Sequence, residues 1–373
     1  MPYKINPDRT KPWNDLPDLP ISPELYEDIE IYKQLGNSKA ALARLQGRSI
    51  AIPNQGMLIN SISLQEAKAS SAIENIFTTD DELYKAYSED YTRQLDGPAK
   101  EILNYREALW IGYQHLESEE LFDNGYFVKM YRVISQFGDG IRTPVAQIYI
   151  KEGGSGPNAG KAFYTPPRGK GIVEAKMQNL IDFLNDDEKY SLDPLLKMAI
   201  GHFQFEAIHP FRDGNGRTGR VFNIHYLTKM GLLDYPILFL SKYIMENKED
   251  YYAGLSGVTQ RGNWKKWILY ILKAVEVTSD ITYQKINDII MAKDAILEAV
   301  IEDGSIIRPE SFVDFLFTQP LSRVKHFVTA GLYAENTARK YLDHLTDMGI
   351  LEKRKMQGNS FYLNLELYRI LSE

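Results

Sequence analysis

Two predicted helices joined by a short loop, between residues 192 and 227, constrain the fold more than any other part of the sequence. Asp193 suits the N-cap position of the first helix. Apolar residues then recur at spacings of three and four as far as Ala207, which predicts that one face of this helix is buried in a core. Pro210 disfavours helical geometry at the preceding residue, so the helix should end near His209. The helical pattern resumes after the loop, and the segment therefore indicates a mainly α-helical domain.

The loop and the start of the second helix read His-Pro-Phe-Arg-Asp-Gly-Asn-Gly-Arg-Thr-Gly-Arg, residues 209–220. The first amides of a helix have no internal partner, and the helix dipole favours negative charge there, so such an end binds phosphate. Glycines let the backbone come close to the phosphate oxygens. Arg217 and Arg220 are three residues apart and can reach the same polyphosphate. The segment therefore predicts a site for a nucleoside triphosphate.

A histidine and an aspartate add reactive groups to this segment. An ordinary imidazole has a pKa of ~6.5, so His209 can accept a proton from a hydroxyl at physiological pH. Asp213 offers carboxylate oxygens, which Mg²⁺ prefers together with phosphate oxygens.

Other interpretations of this segment are weaker. Gly214-x-Gly216-x-x-Gly219 matches the dinucleotide-binding pattern but follows a predicted helix instead of the required strand. The six histidines show no metal-ligand spacing and the chain has no cysteine.

Residues 209–220 resemble the signature of the Fic family, His-Pro-Phe-x-(Asp or Glu)-Gly-Asn-(Gly or Lys)-Arg-x-x-Arg, at every specified position. The resemblance implies a mainly α fold, with an all-helical Fic core that carries a short β-hairpin flap. It also implies a protein adenylyltransferase: His209 deprotonates a Ser, Thr or Tyr hydroxyl of a target protein, and that hydroxyl attacks the α-phosphorus of ATP. Mg²⁺, held by Asp213, leaves with pyrophosphate. The implied nucleotide-binding residues are Gly214, Asn215, Gly216, Arg217, Thr218, Gly219, Arg220 and Tyr251.

A second motif lies far upstream, on a helix that a capping-box pattern at residues 63–66 predicts to begin there. Ser70-x-x-x-Glu74-Asn75 resembles the inhibitory motif of Fic proteins, (Ser or Thr)-x-x-x-Glu-(Gly or Asn). A glutamate paired with Arg220 would withhold that arginine from the γ-phosphate and repel the phosphate itself. The resemblance therefore implies autoinhibition by Glu74. The alternative is an ordinary surface glutamate on an ordinary helix.

The sequence also suggests where the target protein and the adenine bind. A β-prone run, 147–150, precedes a turn-rich segment and resembles the Fic flap, a hairpin whose edge receives an extended target segment by strand addition. The protein substrate is expected to dock near Ile148–Ile150. Tyr251 and Tyr252 resemble the adenine-contacting pair of the family, although an aromatic pair on a helix more often belongs to a core.

A chain of 373 residues suggests two or three domains. We expect an N-terminal helical region with the inhibitory helix at 1–95, a Fic catalytic domain at 96–292 and a winged-helix-like domain at 293–373. The last expectation follows from three predicted short helices, at 311–317, 322–329 and 335–348, and a predicted hairpin after them.

Charge and hydropathy limit the expected partners. The chain has 50 acidic and 43 basic residues, a net charge of −7, which argues against generic nucleic-acid or membrane binding. From residue 300 onward the chain has nine basic and ten acidic residues, so DNA binding by the winged helix has weak support. The absence of cysteine and of a long apolar stretch fits a cytoplasmic protein. A homodimer is expected from the family. Self-modification, removal of AMP from a modified protein by the same site, and DNA-dependent regulation stay open as alternatives.

Overall fold

The computed structural model describes residues 3–6, 8–50, 55–88, 97–118, 121–151, 162–356 and 358–372. In these residues the chain is mainly α-helical, which confirms the predicted fold class. The elements are α1 (Ile29–Ile50), α2 (Gln55–Ile73), α3 (Asp80–Ser88), α4 (Pro98–Glu117), α5 (Asn124–Ser135), β1 (Ile150–Lys151), β2 (Ala162–Tyr164), α6 (Ile172–Asn185), α7 (Pro194–Ile208), α8 (Asn215–Lys229), α9 (Leu240–Glu246), α10 (Lys248–Arg261), α11 (Trp264–Asp303), α12 (Pro309–Leu316), β3 (Leu321–Ser322), α13 (Val324–Thr329), α14 (Glu335–Asp347), β4 (Leu351–Met356), β5 (Asn359–Asn364) and α15 (Leu365–Ser372).

The centre of the fold is α7, which packs against α6, α8 and α11. The sequence predicted one buried face for this helix. The structure buries it all round, and every residue of α7 except Pro194 and Glu206 is buried. Neighbouring helices on several sides cover almost the whole helix, so even His202 and Gln204 belong to the interior. The helix thereby fixes the loop that follows it at the centre of the molecule.

The helix with the inhibitory motif, α2, packs against α4 and α9. It begins at Gln55 and not near Ser63, where the capping-box pattern placed its start. Ser63 and its neighbours 62–67 are buried in the middle of the helix. Their packing holds them in a helix interior, where the local capping pattern has no effect.

The C-terminal elements follow the order of three short helices and a hairpin that the sequence predicted. They also include β3, whose second residue, Ser322, the sequence assigned to the start of a helix. Leu321 pairs with Leu363 in an antiparallel sheet of order β3-β5-β4. The winged-helix assignment stays a prediction, as do the domain boundaries. The boundary at residue 292 falls inside α11, which continues unbroken to Asp303, and the boundary at 95 lies outside the described residues.

The predicted flap is a hairpin of β1 and β2, in which Ile150 pairs with Tyr164. Ile148 and Tyr149 precede the first strand. The turn-rich segment 152–161 lies outside the described residues. No helix in the described part of the chain is both long enough and apolar enough to cross a bilayer.

Candidate functional site

A buried arginine holds the end of α7 and aims the loop that follows it. His209 adopts a left-handed conformation, with φ of 51° and ψ of 60°, and its amide donates to the carbonyl of Phe205. The last carbonyls of a helix lack partners within the helix. Arg142 supplies hydrogen-bond partners for two carbonyls at this end: its Nε donates to the His209 carbonyl at 2.9 Å and its Nη2 to the Ile208 carbonyl at 3.2 Å. The left-handed residue thus turns the chain sharply and leaves the imidazole beside a pocket.

The loop itself is closed by an asparagine and pinned by a phenylalanine. Asn215 accepts from the Phe211 amide through Oδ1 and donates to the Phe211 carbonyl through Nδ2, both at 2.9 Å. The Phe211 ring is buried and lies parallel to Tyr131, with the ring centres 4.3 Å apart. Gly214 has a φ of 68°, a conformation that glycine adopts without strain. The Asn215 side chain is therefore committed to loop geometry.

The residues around the start of α8 place positive charge beside free amides. Arg217 is buried and donates to Glu101 Oε2 at 2.8 Å, and its Nη2 lies 3.7 Å from Asp213 Oδ2. Asp213 is mostly exposed, at 66% of its side chain. Thr218 Oγ1 is buried and has no hydrogen-bond partner among the described residues. A helix start with such neighbours has the composition of an anion site.

Arg220 lies one turn further along α8, and Ser70 of α2 and Glu74 accept hydrogen bonds from its Nε and Nη2. Its Nε donates to Ser70 Oγ at 2.8 Å, and its Nη2 donates to the Ser70 carbonyl at 2.9 Å and to Glu74 Oε1 at 2.8 Å. Glu74 also lies directly over Gly216: a Cβ atom at Gly216 would be 2.5 Å from Glu74 Oε1. Asn75, with a φ of 61°, follows in the left-handed conformation that ends helices. The predicted motif residues therefore meet at the start of α8.

A pocket opens between these groups and the flap. Its polar wall carries His209, Arg220 and Glu74. Its remaining wall is largely aromatic and apolar and includes Phe203, Tyr164, Tyr251, Tyr252 and Leu255. Ile150 of β1 also reaches the pocket, so the flap borders it. Charged side chains and an aromatic slot thus line one cavity.

Comparison with known proteins gives three matching family models. Residues 32–114 match the Fic/DOC family N-terminal model, residues 122–227 match the Fic/DOC family model, and residues 281–367 match the model named protein adenylyltransferase SoFic-like, C-terminal domain. Together these segments account for most of the chain. The chain belongs to the Fic family.

Relatives of known name include protein adenylyltransferase fic-1 of Caenorhabditis elegans, which is 30% identical over 115 residues, 31% of this chain and 21% of that protein. Protein adenylyltransferase Fic of Drosophila grimshawi is 27% identical over 147 residues, 39% of this chain and 29% of that protein. The matched part of the chain therefore spans only about a fifth to a third of the length of these relatives.

Two solved structures share the fold of this Fic-family chain. A Fic family protein from Desulfovibrio desulfuricans has a TM-score of 0.54 at 20% identity, covering 93% of this chain and 98% of that one. Fic-1 from C. elegans has a TM-score of 0.52 at 20% identity, covering 68% and 71% of the two chains. At this identity the likeness concerns the fold.

Burial and neighbouring charges explain the pKa shifts of the ionisable groups in the pocket of this Fic-family chain. Burial, assisted by the positive Arg142, lowers the pKa of His209 to about 4, so the imidazole is neutral at physiological pH. Burial would raise the pKa of Glu74, but the charge of Arg220 and its hydrogen bond outweigh it and hold this pKa below its usual value. Burial raises the pKa of Glu206 to about 8. Because the pKa of Glu74 lies below its usual value, the pair of Arg220 and Glu74 is ionic at neutral pH.

Tyr251 lines the pocket, but its ring is buried in the core, and its contact with adenine stays a prediction. It is only 2% exposed, and its hydroxyl is hydrogen bonded to His202 Nε2 at 2.9 Å. Tyr252 packs edge-on against it and is more exposed. Both line the pocket, so the aromatic pair forms a wall whose inner member is fixed by the interior.

The sequence did not reveal three residues that complete the site, Arg142, Glu101 and Glu206. Arg142 and Glu101 act from other elements, through contacts with α7 and Arg217 that no local pattern encodes. Glu206 precedes His209 by one turn, and its only signal is a carboxylate within the apolar run of α7.

The metal prediction depends on one carboxylate. In the described part of the chain no group of three or more histidine, aspartate or glutamate residues could hold a metal ion. Asp213 is exposed at the start of α8, and its described ion pair, to Arg217 at 3.7 Å, is long. One available carboxylate fits Mg²⁺ only if phosphate oxygens supply further ligands.

Proposed function

We propose that this chain transfers AMP from ATP to a Ser, Thr or Tyr hydroxyl of a protein, and that Glu74 restrains the reaction. The observation that carries the proposal is the pairing of Arg220 with Glu74 and Ser70 in the pocket that also contains His209. The names of the relatives, protein adenylyltransferases, support the same activity.

The triphosphate binds at the start of α8. The amides of the first turn and Arg217 contact its oxygens, and Gly216 leaves room for them because it has no side chain. Asp213 would hold Mg²⁺ together with phosphate oxygens, and the metal would supply positive charge that stabilises the pyrophosphate leaving group. Arg220, once free of Glu74, binds the terminal phosphate.

His209 takes the proton of the attacking hydroxyl. The hydroxyl oxygen forms a bond to the α-phosphorus as the bond from that phosphorus to pyrophosphate breaks, and the proton moves to the imidazole. With a pKa of about 4 before nucleotide binds, the imidazole is neutral and can accept this proton. The negative triphosphate favours the imidazolium form, so its arrival raises the pKa and makes His209 a stronger base.

Glu74 restrains transfer by its position and its charge. Its carboxylate occupies Arg220 and lies over Gly216, where the phosphates would pass. A triphosphate entering against this anion meets repulsion and lacks its terminal clamp, so the α-phosphorus is misplaced for in-line attack. The target segment adds to the edge of the hairpin near Ile148–Ile150, which borders the same pocket, and adenine enters the slot beside Tyr251 and Tyr252.

The direct test is AMP transfer from ATP labelled at the α-phosphate, with Mg²⁺, to lysate proteins and to the chain itself. We expect Glu74→Gly to raise labelling and Glu74→Gly with His209→Ala to abolish it. The matched control is Glu246→Gly, because Glu246 is also followed by asparagine at a helix end and lies outside the pocket.

Label supplied on the γ-phosphate must not transfer. Labelling from γ-labelled ATP would indicate a kinase. No labelling by the Glu74→Gly protein from either position would contradict the proposal.

A further inference from the structure

One carboxyl group in the pocket has no function in the scheme above. Glu206 lies on the last turn of α7 and lines the pocket. Its Oε1 is buried without a hydrogen-bond partner in the described residues. Gly219 of α8 makes space for it, since a Cβ atom there would be 2.7 Å from Glu206 Oε1. Buried polar atoms are almost always paired, so the partner of this oxygen is expected among molecules that enter the pocket.

The surroundings of Glu206 fit the nucleoside end of a nucleotide. The phosphate-binding groups are at the start of α8 and on Arg220, whereas Phe203, Tyr252 and Leu255 form an aromatic and apolar wall. A planar base is the part of a nucleotide that such a wall accommodates. Apart from the tyrosine hydroxyls and the group around Arg220 and His209, the polar side chains that the described residues contribute to the lining of this pocket are those of Glu206 and Thr259.

The carboxyl group is neutral at physiological pH. Burial raises the pKa of Glu206 to about 8, which Arg220 lowers in part and Glu74 raises further. A neutral carboxyl group has one O–H donor and a carbonyl acceptor side by side, whereas a carboxylate only accepts. The adenine edge presents a ring-nitrogen acceptor next to an amino donor, the pattern that a glutamine amide also matches.

We propose that Glu206 recognises the base of the donor nucleotide, pairing its buried carboxyl group with the adjacent donor and acceptor atoms of adenine. This inference rests on the proposed function, of which it explains the nucleotide preference. An ionised carboxylate would repel the adenine ring nitrogen and would accept from the N1–H and N2–H groups of guanine. The preference for ATP over GTP is therefore present while Glu206 is protonated, and it declines as pH rises and Glu206 ionises.

Several groups face Glu206 and set the pH of this change. They are Arg220 of α8, Glu74 after α2, and Tyr251 and Tyr252 of α10. In a Glu74→Gly protein a negative neighbour is missing, which favours ionisation, whereas a bound triphosphate opposes it. The pH at which the Glu74→Gly protein has lost half of its preference for ATP is therefore measured in the presence of nucleotide.

The experiment measures equilibrium binding of ATP and GTP to the Glu74→Gly protein and to its Glu206→Gln and Glu206→Ala derivatives, between about pH 6 and pH 9. We expect the parent to prefer ATP at low pH and to lose this preference as pH rises. Glu206→Gln should keep the preference at every pH, because its amide copies the neutral acid without titrating. Glu206→Ala should reduce the ATP-to-GTP ratio about tenfold.

An unchanged ratio in both derivatives, or a Glu206→Gln protein that retains the pH dependence of its parent, would overturn the inference. If Glu206→Ala does not fold, the pH profile of Glu206→Gln decides alone. Because the readout is binding, it separates the two proposals. A protein that prefers ATP through Glu206 and yet transfers no AMP would refute the reaction but support base recognition.

Discussion

At the scale of single residues, Arg220 is a buried cation whose described hydrogen bonds lead to Ser70 of α2 and to Glu74 just after that helix. Its side chain is 1% exposed, and it donates to Ser70 twice and to Glu74 once. A buried guanidinium requires such partners. If Glu74 leaves, the two Ser70 bonds remain, so Arg220 stays in place and presents its free donors to an incoming phosphate. Ser70 therefore positions the arginine that Glu74 neutralises.

Removing the Ser70 hydroxyl should weaken this arrangement without releasing Glu74. In Ser70→Ala, Nε of Arg220 loses its acceptor, which costs about 1–3 kcal/mol in the free energy of unfolding. We expect AMP transfer above that of the unmodified chain and below that of Glu74→Gly. Ser70→Thr, which keeps a hydroxyl, serves as the control. Transfer by Ser70→Ala equal to that of Glu74→Gly would show that Ser70 holds the inhibited state as strongly as the glutamate.

Buried histidines predict the response of stability to acid. Burial lowers the pKa of His202 to about 3 and those of His209 and His225 to about 4. Below an unfolded pKa of ~6.5 the unfolded chain takes up protons that the folded chain does not, so stability falls as pH decreases towards 4. Urea unfolding at a series of pH values measures the slope. His225→Asn should reduce it, and an unchanged slope would exclude His225 as a contributor.

At the scale of elements, the end of α2 depends on one residue in a left-handed conformation. Asn75 has a φ of 61°, and its side chain accepts from Lys248 at 3.4 Å. Asparagine and glycine tolerate this conformation, whereas alanine is strained there. The requirement for glycine or asparagine after Glu74 in the motif thus has a backbone cause: the helix must end so that the glutamate reaches Arg220.

Asn75→Ala should destabilise the protein by about 1 kcal/mol and also raise AMP transfer, because a frayed helix end holds Glu74 less firmly. Asn75→Gly is the control, and it should leave both quantities nearly unchanged. Thermal unfolding and α-labelled transfer measure the two effects. Equal behaviour of the two variants would contradict the backbone explanation.

The sequence predicts the elements whose geometry local residues determine better than those that depend on distant contacts. The loop at 209–220 could be predicted because its proline, glycines and Asn215 determine its geometry locally. The contact between Glu74 and Arg220 could be predicted only through the family motif. By contrast, the start of α2, the strand β3 and the support from Arg142 depend on packing between distant segments. Propensity and periodicity contain no information about such partners.

At the scale of the whole molecule, the C-terminal region braces the segment that follows the inhibitory motif. The Tyr84 ring of α3 packs edge-on against Tyr368 of α15, and its hydroxyl accepts from Gln65 of α2. Arg354 of β4 pairs with Asp81 at 3.1 Å, and His326 is hydrogen bonded to the Ser88 carbonyl at 2.8 Å. The C-terminal elements thus contact α3, and α15 also contacts α2 directly, so their stability and the position of Glu74 are expected to be coupled.

The balance of charged residues in the C-terminal region leads to a prediction about DNA binding. With nine basic and ten acidic residues from position 300 onward, the chain has no excess of cations to replace the counterions of DNA. We expect the intact protein to show no retention on duplex DNA at physiological salt. Retention that falls steeply as salt is raised would contradict this expectation and support the DNA-binding alternative.

Coupling across the molecule can be tested at α15, whose inner face is buried and whose first residue is not. Ile370 is 3% exposed, whereas Leu365 on the same helix is 40% exposed. Ile370→Ala should lower the free energy of unfolding by about 2–5 kcal/mol, and Leu365→Ala, the control, by about 0.5 kcal/mol or less. If the C-terminal region supports α2 through Tyr84, Ile370→Ala should also raise AMP transfer at temperatures where the protein stays folded. Loss of stability in urea without any rise in transfer would mean that α2 keeps its position independently of α15.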